Sequence, residues 1–219
     1  MKVNRHGKAK ILTQQEIQEI FSHGLSNDRD RTLFGVCLFS ASRIREACTL
    51  LTSDIYTPKG LVRPKLIIRK ANTKGKLATR SIPVIEDLRQ LLSSYYTFAG
   101  KPYLFGGRSD GHISEDSAAR ILRQACERVG ITGVSTHSFR RTALTQMSNA
   151  GIPLRVIQEI SGHRNLEQLQ KYLEVSEEQV LGAASSLSML SPVANAGGSV
   201  DVEVNLELEN VSPLGEESL

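Results

Sequence analysis

The chain has 219 residues, 40% of them hydrophobic, which suffices for one packed domain or at most two small ones. No apolar run approaches a membrane span, and the basic first ten residues do not lead into a signal-peptide core, so the sequence predicts a cytoplasmic protein with no membrane partner. All 27 lysines and arginines lie at or before Lys171, whereas residues 176–219 hold eight of the 23 acids; the 15 acids before them leave residues 1–175 with a net charge of +12, an imbalance typical of nucleic-acid binding.

Helical patterns dominate the chain from its beginning. Thr13, with Glu16 three residues on, forms a capping-box pattern that opens a helix ending at about Ser22. Apolar periodicity predicts further helices over about Arg29–Phe39, Arg43–Leu50, Glu86–Tyr96 and Ser114–Val129.

Two strand-like segments interrupt the helices. They are Lys65–Arg69 and Thr79–Pro83, and they flank Asn72–Lys76, which has the composition of a hairpin turn. The sequence therefore predicts a mainly α fold with one small antiparallel β-sheet.

Three helical segments follow close together. In the first, Phe139, Ala143, Met147 and Ala150 recur at helical spacing and predict a buried stripe, while His137 and Arg140, three residues apart, lie side by side next to it. Arg141 diverges from that pair, and we expect it to be solvated or to contact a DNA backbone.

The second segment restarts at Pro153, and Gly162 ends it and presents His163. A third short helix from about Leu166 carries Tyr172, nine residues beyond His163. We expect His163 and Tyr172 to serve one site.

The C-terminal part of the chain differs in composition. From Ala183 it becomes small and polar, and residues 200–208 then alternate apolar and polar side chains, which is compatible with a strand or with a disordered acidic tail. We therefore predict a domain over residues 1–182 and an acidic tail over residues 183–219.

The three cysteines, Cys37, Cys48 and Cys126, are odd in number, widely spaced and set in apolar helical contexts. Such residues are expected to be reduced and buried, not paired in a disulfide framework or bound to zinc. The sequence implies no metal and no nucleotide cofactor.

The polar residues singled out above suit chemistry on an anion. A tyrosine hydroxyl has a pKa of about 10, so forming its reactive phenolate at neutral pH costs roughly 4 kcal/mol. A phosphodiester gains negative charge on its non-bridging oxygens when it is attacked, so its site needs fixed cations and proton donors. The candidates that meet these needs are Arg43, Lys74, His137, Arg140, His163 and, as the attacking group, Tyr172.

Taken in order, these residues resemble the tyrosine recombinase (phage integrase) family. The family pattern has an early Arg-x-x-Glu, here Arg43 to Glu46, then a hairpin lysine, His-x-x-Arg, Gly-His and a final tyrosine. The resemblance covers roughly residues 11–175, and it departs from the family at Ser161, where leucine is frequent.

The resemblance implies a role for each residue. Arg43 and Arg140 would clamp the scissile phosphate, since guanidinium groups bind phosphate in bidentate fashion. Tyr172 would be the nucleophile, Lys74 the general acid and Glu46 a supporting carboxylate. His137 and His163 would act in acid/base chemistry or hydrogen bonding. Lys76 competes with Lys74, because the segment from Lys74 to Pro83 is one residue longer than the family usually shows.

Each feature alone has a simpler interpretation. Arg43 and Glu46 could form an i,i+3 surface ion pair, His163 could interact with a helix dipole, and Tyr172 could be a half-buried aromatic residue. Their combination favours the catalytic interpretation.

The resemblance implies a metal-independent recombinase that acts on double-stranded DNA through a 3′-phosphotyrosyl intermediate, as a tetramer on paired DNA. Two alternatives remain open: a relaxing topoisomerase of the same chemistry, and a DNA-binding regulator without catalysis. Many relatives carry an N-terminal DNA-clamping domain, whereas here the catalytic pattern begins within about ten residues of Met1. The chain is therefore expected to be a minimal enzyme or a fragment that binds DNA weakly and in a salt-sensitive way.

Overall fold

The structure, a computed structural model, describes residues 9–73, 78–107, 111–170 and 177–187. The helices are α1 (Gln14–Glu19), which continues as a π-turn over Ile20–Gly24, then α2 (Asp28–Phe39), α3 (Ile44–Cys48), α4 (Glu86–Tyr95), α5 (Glu115–Arg128), α6 (Thr136–Asn149), α7 (Leu154–Ser161), α8 (Leu166–Gln170) and α9 (Glu177–Ser185). The strands are β1 (Lys65–Ile68) and β2 (Arg80–Pro83). The predicted mainly α fold with one small sheet is confirmed.

Helix α2 lies at the centre of the core. Asn27 caps its N-terminus by accepting a hydrogen bond from the Asp30 amide, and eight of its residues are buried, so the helix has hardly a solvent face. It packs against α4 on one side and α6 on the other. Phe34 of α2 stacks on Phe139 of α6 with ring centroids 5.4 Å apart, and this contact fixes the helix that carries Arg140.

The two strands form an antiparallel pair in which Leu66 faces Ile82 and Ile68 faces Arg80. Arg80 and Ile82 are buried while Ser81 is exposed, so the strand follows the period-2 alternation of a half-buried sheet. Lys70–Asn72 forms a short 3₁₀ turn after β1. The predicted hairpin tip, including Lys74 and Lys76, lies outside the described residues.

Helix boundaries differ from the predictions where a residue caps rather than continues a helix. Arg43 is the N-cap of α3, with extended backbone, and the helix ends at Cys48. In α6 the predicted buried stripe is wrong at Ala150, which is exposed. The reason is that α6 ends at Asn149 and Gly151 turns the chain away with φ +72°. Cys37, Cys48 and Cys126 are buried free thiols, as predicted.

The described residues up to Val180 form one compact unit, and those from Leu181 onward belong to a second unit. Helix α9 spans the predicted domain boundary at residue 182, and the predicted strand over residues 200–208 lies outside the described residues. In the part of the chain that the structure describes, no helix is long and apolar enough to cross a membrane.

The segment before α1 is held against α6. The buried Leu12 amide donates to Thr142 Oγ1 at 2.8 Å, and Arg141 donates to the carbonyl oxygen of Ala9. Arg141 is only 6% exposed, so its prediction as a solvated or DNA-contacting residue is wrong. Helical direction correctly separated Arg141 from Arg140, but it could not show that a segment 132 residues away covers that face.

Replacing Thr142 by valine should destabilise the protein by about 1–3 kcal/mol, because the isosteric change leaves the buried Leu12 amide without its acceptor. Chemical denaturation measures the difference. Thr145→Val on the same helix is the matched control, since Thr145 Oγ1 is buried without a hydrogen-bond partner among the described residues and its removal should be neutral or stabilising. Equal losses in the two variants would contradict the assigned role of Thr142.

Candidate active site

The N-terminus of α3 places an arginine against a buried carboxylate. The Arg43 amide donates to Glu46 Oε2 at 2.9 Å, and Arg43 Nη1 donates to Glu46 Oε1 at 3.0 Å. A glutamate three residues after the N-cap commonly reaches back to it in this way. Glu46 is 1% exposed and the Arg43 side chain 27% exposed. The pair is therefore not the surface ion pair considered from sequence. Arg43 is partly exposed while the buried Glu46 carboxylate holds it in place.

Arg80 is a site residue that sequence reasoning missed. Its Nη2 donates to Glu46 Oε2 at 2.6 Å, and its Nη1 donates to the carbonyl oxygen of Ile160 at 2.8 Å. The residue is buried at the start of β2 and links α3 to the end of α7. One signal in the sequence could have found it: the strand alternation puts Arg80 on the same face as Ile82, where an arginine requires a partner.

Arg140, in the second turn of α6, is almost fully buried and held by backbone carbonyls. Its Nη1 donates to Ala41, and its Nη2 donates to Ser161 at 2.9 Å. Ala41 has a left-handed backbone with φ +48°, which is strained for a residue with a Cβ atom. The strained turn before α3 thus aims its carbonyl oxygen at Arg140, so α3, α6 and α7 meet at one guanidinium group.

His163 lies beside Arg140, directly after the turn that ends α7. Arg140 Nη2 is 3.2 Å from its Nε2, and Ser161 Oγ is 2.8 Å from its Nδ1. Burial lowers the pKa of His163 to about 3, and the positive charges of Arg140, Arg43 and Arg80 act in the same direction. The imidazole is therefore neutral at pH 7.

Gly162 allows this arrangement for two reasons. Its backbone is left-handed, with φ +65°, and a Cβ atom there would lie 2.7–2.8 Å from the side chain of Arg80. The predicted end of the helix at Gly162 is confirmed.

The remaining predicted residues divide into two groups. His137 is exposed in the first turn of α6, one turn before Arg140. Tyr172, Lys74 and Lys76 lie outside the described residues, and α8 is described over Leu166–Gln170. The structure thus brings together Arg43, Glu46, Arg140 and His163 and adds Arg80.

The described cluster has an excess of positive charge. The cluster holds three guanidinium groups, those of Arg43, Arg80 and Arg140, and one carboxylate, that of Glu46, which pairs with Arg43 and Arg80; the neighbouring imidazole is neutral. A groove of about 430 Å³ opens between β2 and α7 beside His163. No group of three or more metal-ligating side chains occurs among the described residues. Such a cluster can bind an anion, whose negative charge would balance the excess of positive charge.

Comparison with known proteins supports the same family as the site residues. The model of the phage integrase family matches residues 10–179. The chain belongs to the phage integrase family. It is 29% identical over 181 residues to a tyrosine recombinase of Pseudothermotoga lettingae, covering 81% of this chain and 60% of that protein. It is 29% identical to tyrosine recombinase XerA of Pyrococcus furiosus, covering 83% and 63% respectively. The chain therefore spans about three fifths of the length of these relatives.

Solved structures agree in fold. A XerA recombinase matches with a TM-score of 0.68 at 20% identity, covering 83% of this chain and 66% of that one. The Tn1549 transposon integrase, in complex with a circular intermediate DNA, matches with a TM-score of 0.67 at 15% identity, covering 83% and 67%. The recombinase catalytic fold predicted for this chain is thereby confirmed.

Arg80→Gln should lower the free energy of unfolding by about 3–5 kcal/mol, because it leaves the buried Glu46 carboxylate with one cationic partner fewer and the Ile160 carbonyl without its donor. Urea denaturation measures the loss. Arg155→Gln is the control, since its i,i+4 pair with Glu159 is exposed on both sides and should contribute less than about 0.5 kcal/mol. A loss in Arg80→Gln no larger than in this control would show that the buried link is not structural.

The unusual pKa of His163 makes stability depend on pH. Below about pH 6.5 the unfolded chain binds a proton at His163, whereas the folded protein, with a pKa of about 3, does not. The stabilising difference is therefore fully present above pH 6.5 and is lost as the pH falls towards 3, by up to about 1.4 kcal/mol per pH unit. Denaturation of wild type and His163→Gln between pH 7 and pH 4.5 should give curves that converge on acidification; parallel curves would contradict the low pKa.

Proposed function

We propose that this protein is a site-specific DNA recombinase that cleaves and rejoins DNA strands through a 3′-phosphotyrosyl intermediate. The Tyr172 hydroxyl oxygen attacks the scissile phosphorus, the bond to the 5′ oxygen breaks, and the phosphotyrosyl bond conserves its energy for rejoining. Arg43 and Arg140 bind the non-bridging oxygens, and Glu46 holds Arg43 in place.

One observation carries this proposal: three guanidinium groups lie in one cluster, in which Arg43 and Arg80 share the buried Glu46 carboxylate and Arg140 lies beside His163. A phosphodiester in cleavage develops charge that fixed cations stabilise best when they are oriented before the substrate arrives. Arg140 is held by two carbonyl oxygens and Arg43 by Glu46, so little reorganisation is needed when DNA binds.

The two histidines differ in exposure, and we assign proton transfer to only one of them. His163 is buried between Ser161 and Arg140, whereas His137 is exposed in the first turn of α6. We assign to His137 the proton of the Tyr172 hydroxyl, because His137 is exposed whereas His163 is buried. Lys74, or else Lys76, gives a proton to the departing 5′ oxygen.

The partner in this function is double-stranded DNA, and the protein acts as a tetramer on two paired sites. Structures similar in fold include XerH bound to its difH substrate and a lambda integrase dimer bound to a core site. We place the protein in the cytoplasm, associated with the nucleoid when bound to DNA. Residues 1–182 act as the catalytic domain and residues 183–219 as an acidic tail.

Tyr172→Phe should abolish the covalent adduct on a nicked suicide substrate and leave DNA affinity nearly unchanged, because only the attacking oxygen is lost. Denaturing gel electrophoresis detects the adduct. Tyr96→Phe, at an exposed tyrosine, is the matched control and should retain full adduct formation. Arg43→Ala and Arg140→Ala should each slow cleavage about 100- to 1,000-fold. Adduct formation by Tyr172→Phe would overturn the nucleophile assignment.

The same substrates separate the alternatives. A recombinase exchanges strands between two DNAs, whereas a topoisomerase of this chemistry relaxes supercoils in one. A DNA-binding regulator would shift DNA in a gel without forming any adduct.

A substrate with sulfur at the 5′ bridging position identifies the general acid, since a thiolate leaves without a proton. Lys74→Ala should be inactive on ordinary DNA and largely restored on the sulfur substrate, while Lys76→Ala should behave alike on both. Restoration in Lys76→Ala instead would assign the acid to Lys76. Equal defects of Lys74→Ala on both substrates would exclude it as the acid.

A further inference from the structure

The turn at the end of α7 brings two polar side chains together beside Arg140. Gly162, with its left-handed backbone, folds the chain back so that Ser161 and His163 meet, with Ser161 Oγ 2.8 Å from His163 Nδ1. Ser161 is completely buried. Gln158 Nε2 donates to the carbonyl oxygen of His163 at 3.1 Å and so closes the turn from the other side. The imidazole is therefore held by its ring and by its backbone.

The neighbours of His163 determine where its proton lies. A neutral imidazole carries one N–H, and a guanidinium group can only donate. Arg140 Nη2 is 3.2 Å from Nε2 and 3.5 Å from Nδ1, so Nε2 is the better-placed acceptor. The single proton then belongs on Nδ1. From there it points to Ser161 Oγ, whose own hydroxyl proton is directed to the carbonyl oxygen of Gln158 at 3.3 Å.

In this series of hydrogen bonds each donor faces an acceptor. Arg140 donates to His163, His163 donates to Ser161, and Ser161 donates to a backbone carbonyl. This series requires a neutral His163 imidazole, which agrees with the low pKa that burial and three nearby arginines give to His163. An apolar side chain at position 161 would offer no acceptor to Nδ1.

We propose that Ser161 is a positioning residue that fixes His163 in the tautomer with the proton on Nδ1 and the lone pair on Nε2. In this tautomer Nε2 accepts a hydrogen bond from Arg140, which adds a third acceptor to the two carbonyls that orient its guanidinium group. Before DNA binds, His163 thus acts as an acceptor that orders Arg140. The effect on cleavage rests on the proposed recombinase function, whereas the tautomer does not.

Nitrogen-15 NMR on DNA-free protein tests the tautomer directly. In protein labelled at histidine, long-range proton–nitrogen correlation at pH 7 should show a protonated, pyrrole-type Nδ1 and an unprotonated, pyridine-type Nε2 for His163, assigned by the loss of its signals in His163→Gln. In Ser161→Ala the Nδ1 proton loses the Ser161 hydroxyl as its acceptor, so the two nitrogens should move towards averaged shifts. Ser161→Thr keeps the hydroxyl and should restore the wild-type pattern.

Ser186→Ala is the matched control, because Ser186 also donates to a carbonyl three residues back near a helix end, in this case that of Ala183, with no histidine two residues on. It should leave the His163 signals unchanged. A proton on Nε2 of His163 in the wild type, or an unchanged His163 tautomer in Ser161→Ala, would overturn the proposal.

Single-turnover cleavage of the suicide substrate measures the effect on the reaction. Ser161→Ala should cleave about tenfold more slowly with unchanged DNA affinity, the effect of one lost buried hydrogen bond, and Ser161→Thr should recover the rate. A wild-type rate in a Ser161→Ala protein that has lost the tautomer would refute the positioning role. If the wild type forms no adduct at all, the recombinase function fails while the NMR result still decides the tautomer.

Discussion

The buried carboxylate of Glu46 is the interaction on which the site depends. It accepts from the backbone and the guanidinium group of Arg43 and from the guanidinium group of Arg80. A carboxylate so far from water is tolerable only when charged donors surround it. In return it holds two cations close together that would otherwise repel each other. The Glu46 carboxylate therefore links α3 to β2 through the two arginines.

Backbone carbonyls are the acceptors that orient Arg140, as the Glu46 carboxylate orients Arg43 and Arg80. Arg140 is held by carbonyl oxygens from the turn before α3 and from the end of α7. Carbonyl acceptors orient a guanidinium group without cancelling its positive charge. The positive φ of Ala41 is the local strain that accompanies this geometry. Strain of this kind persists only where the surrounding structure imposes it.

The sequence predicted the parts of this site whose geometry is local. The spacing of Arg43 and Glu46 around a helix start, and the end of a helix at Gly162, both follow from short-range rules and are confirmed. The mainly α fold was predictable for the same reason, since helical periodicity is visible within single segments.

Partners from distant segments were not predictable. Arg80 was interpreted only as part of a strand, because its partner Glu46 lies 34 residues earlier. Arg141 was expected to be solvated or to contact a DNA backbone because its direction on the helix diverges from that of His137 and Arg140, whereas it donates to the carbonyl oxygen of Ala9, 132 positions away. In both cases the pattern gave the direction of the side chain, and only the tertiary fold supplied its neighbour. Buried arginines are where such predictions fail most easily, since a single sequence indicates the need for a partner but not its identity.

The three arginines differ in exposure, and the difference is consistent with separate duties. Arg80 and Arg140 are buried and bound to the backbone of α7, so they join the elements of the site. Arg43 keeps about a quarter of its side chain exposed while Glu46 holds its base. An anion approaching from solvent would therefore reach the partly exposed Arg43 more readily than the buried Arg140. Because Arg80 and Arg140 both bind carbonyls within the last two residues of α7, the turn carrying His163 cannot shift without disturbing two cations. This coupling explains why a glycine at position 162, packed against Arg80, matters as much to the arrangement as the charged residues do.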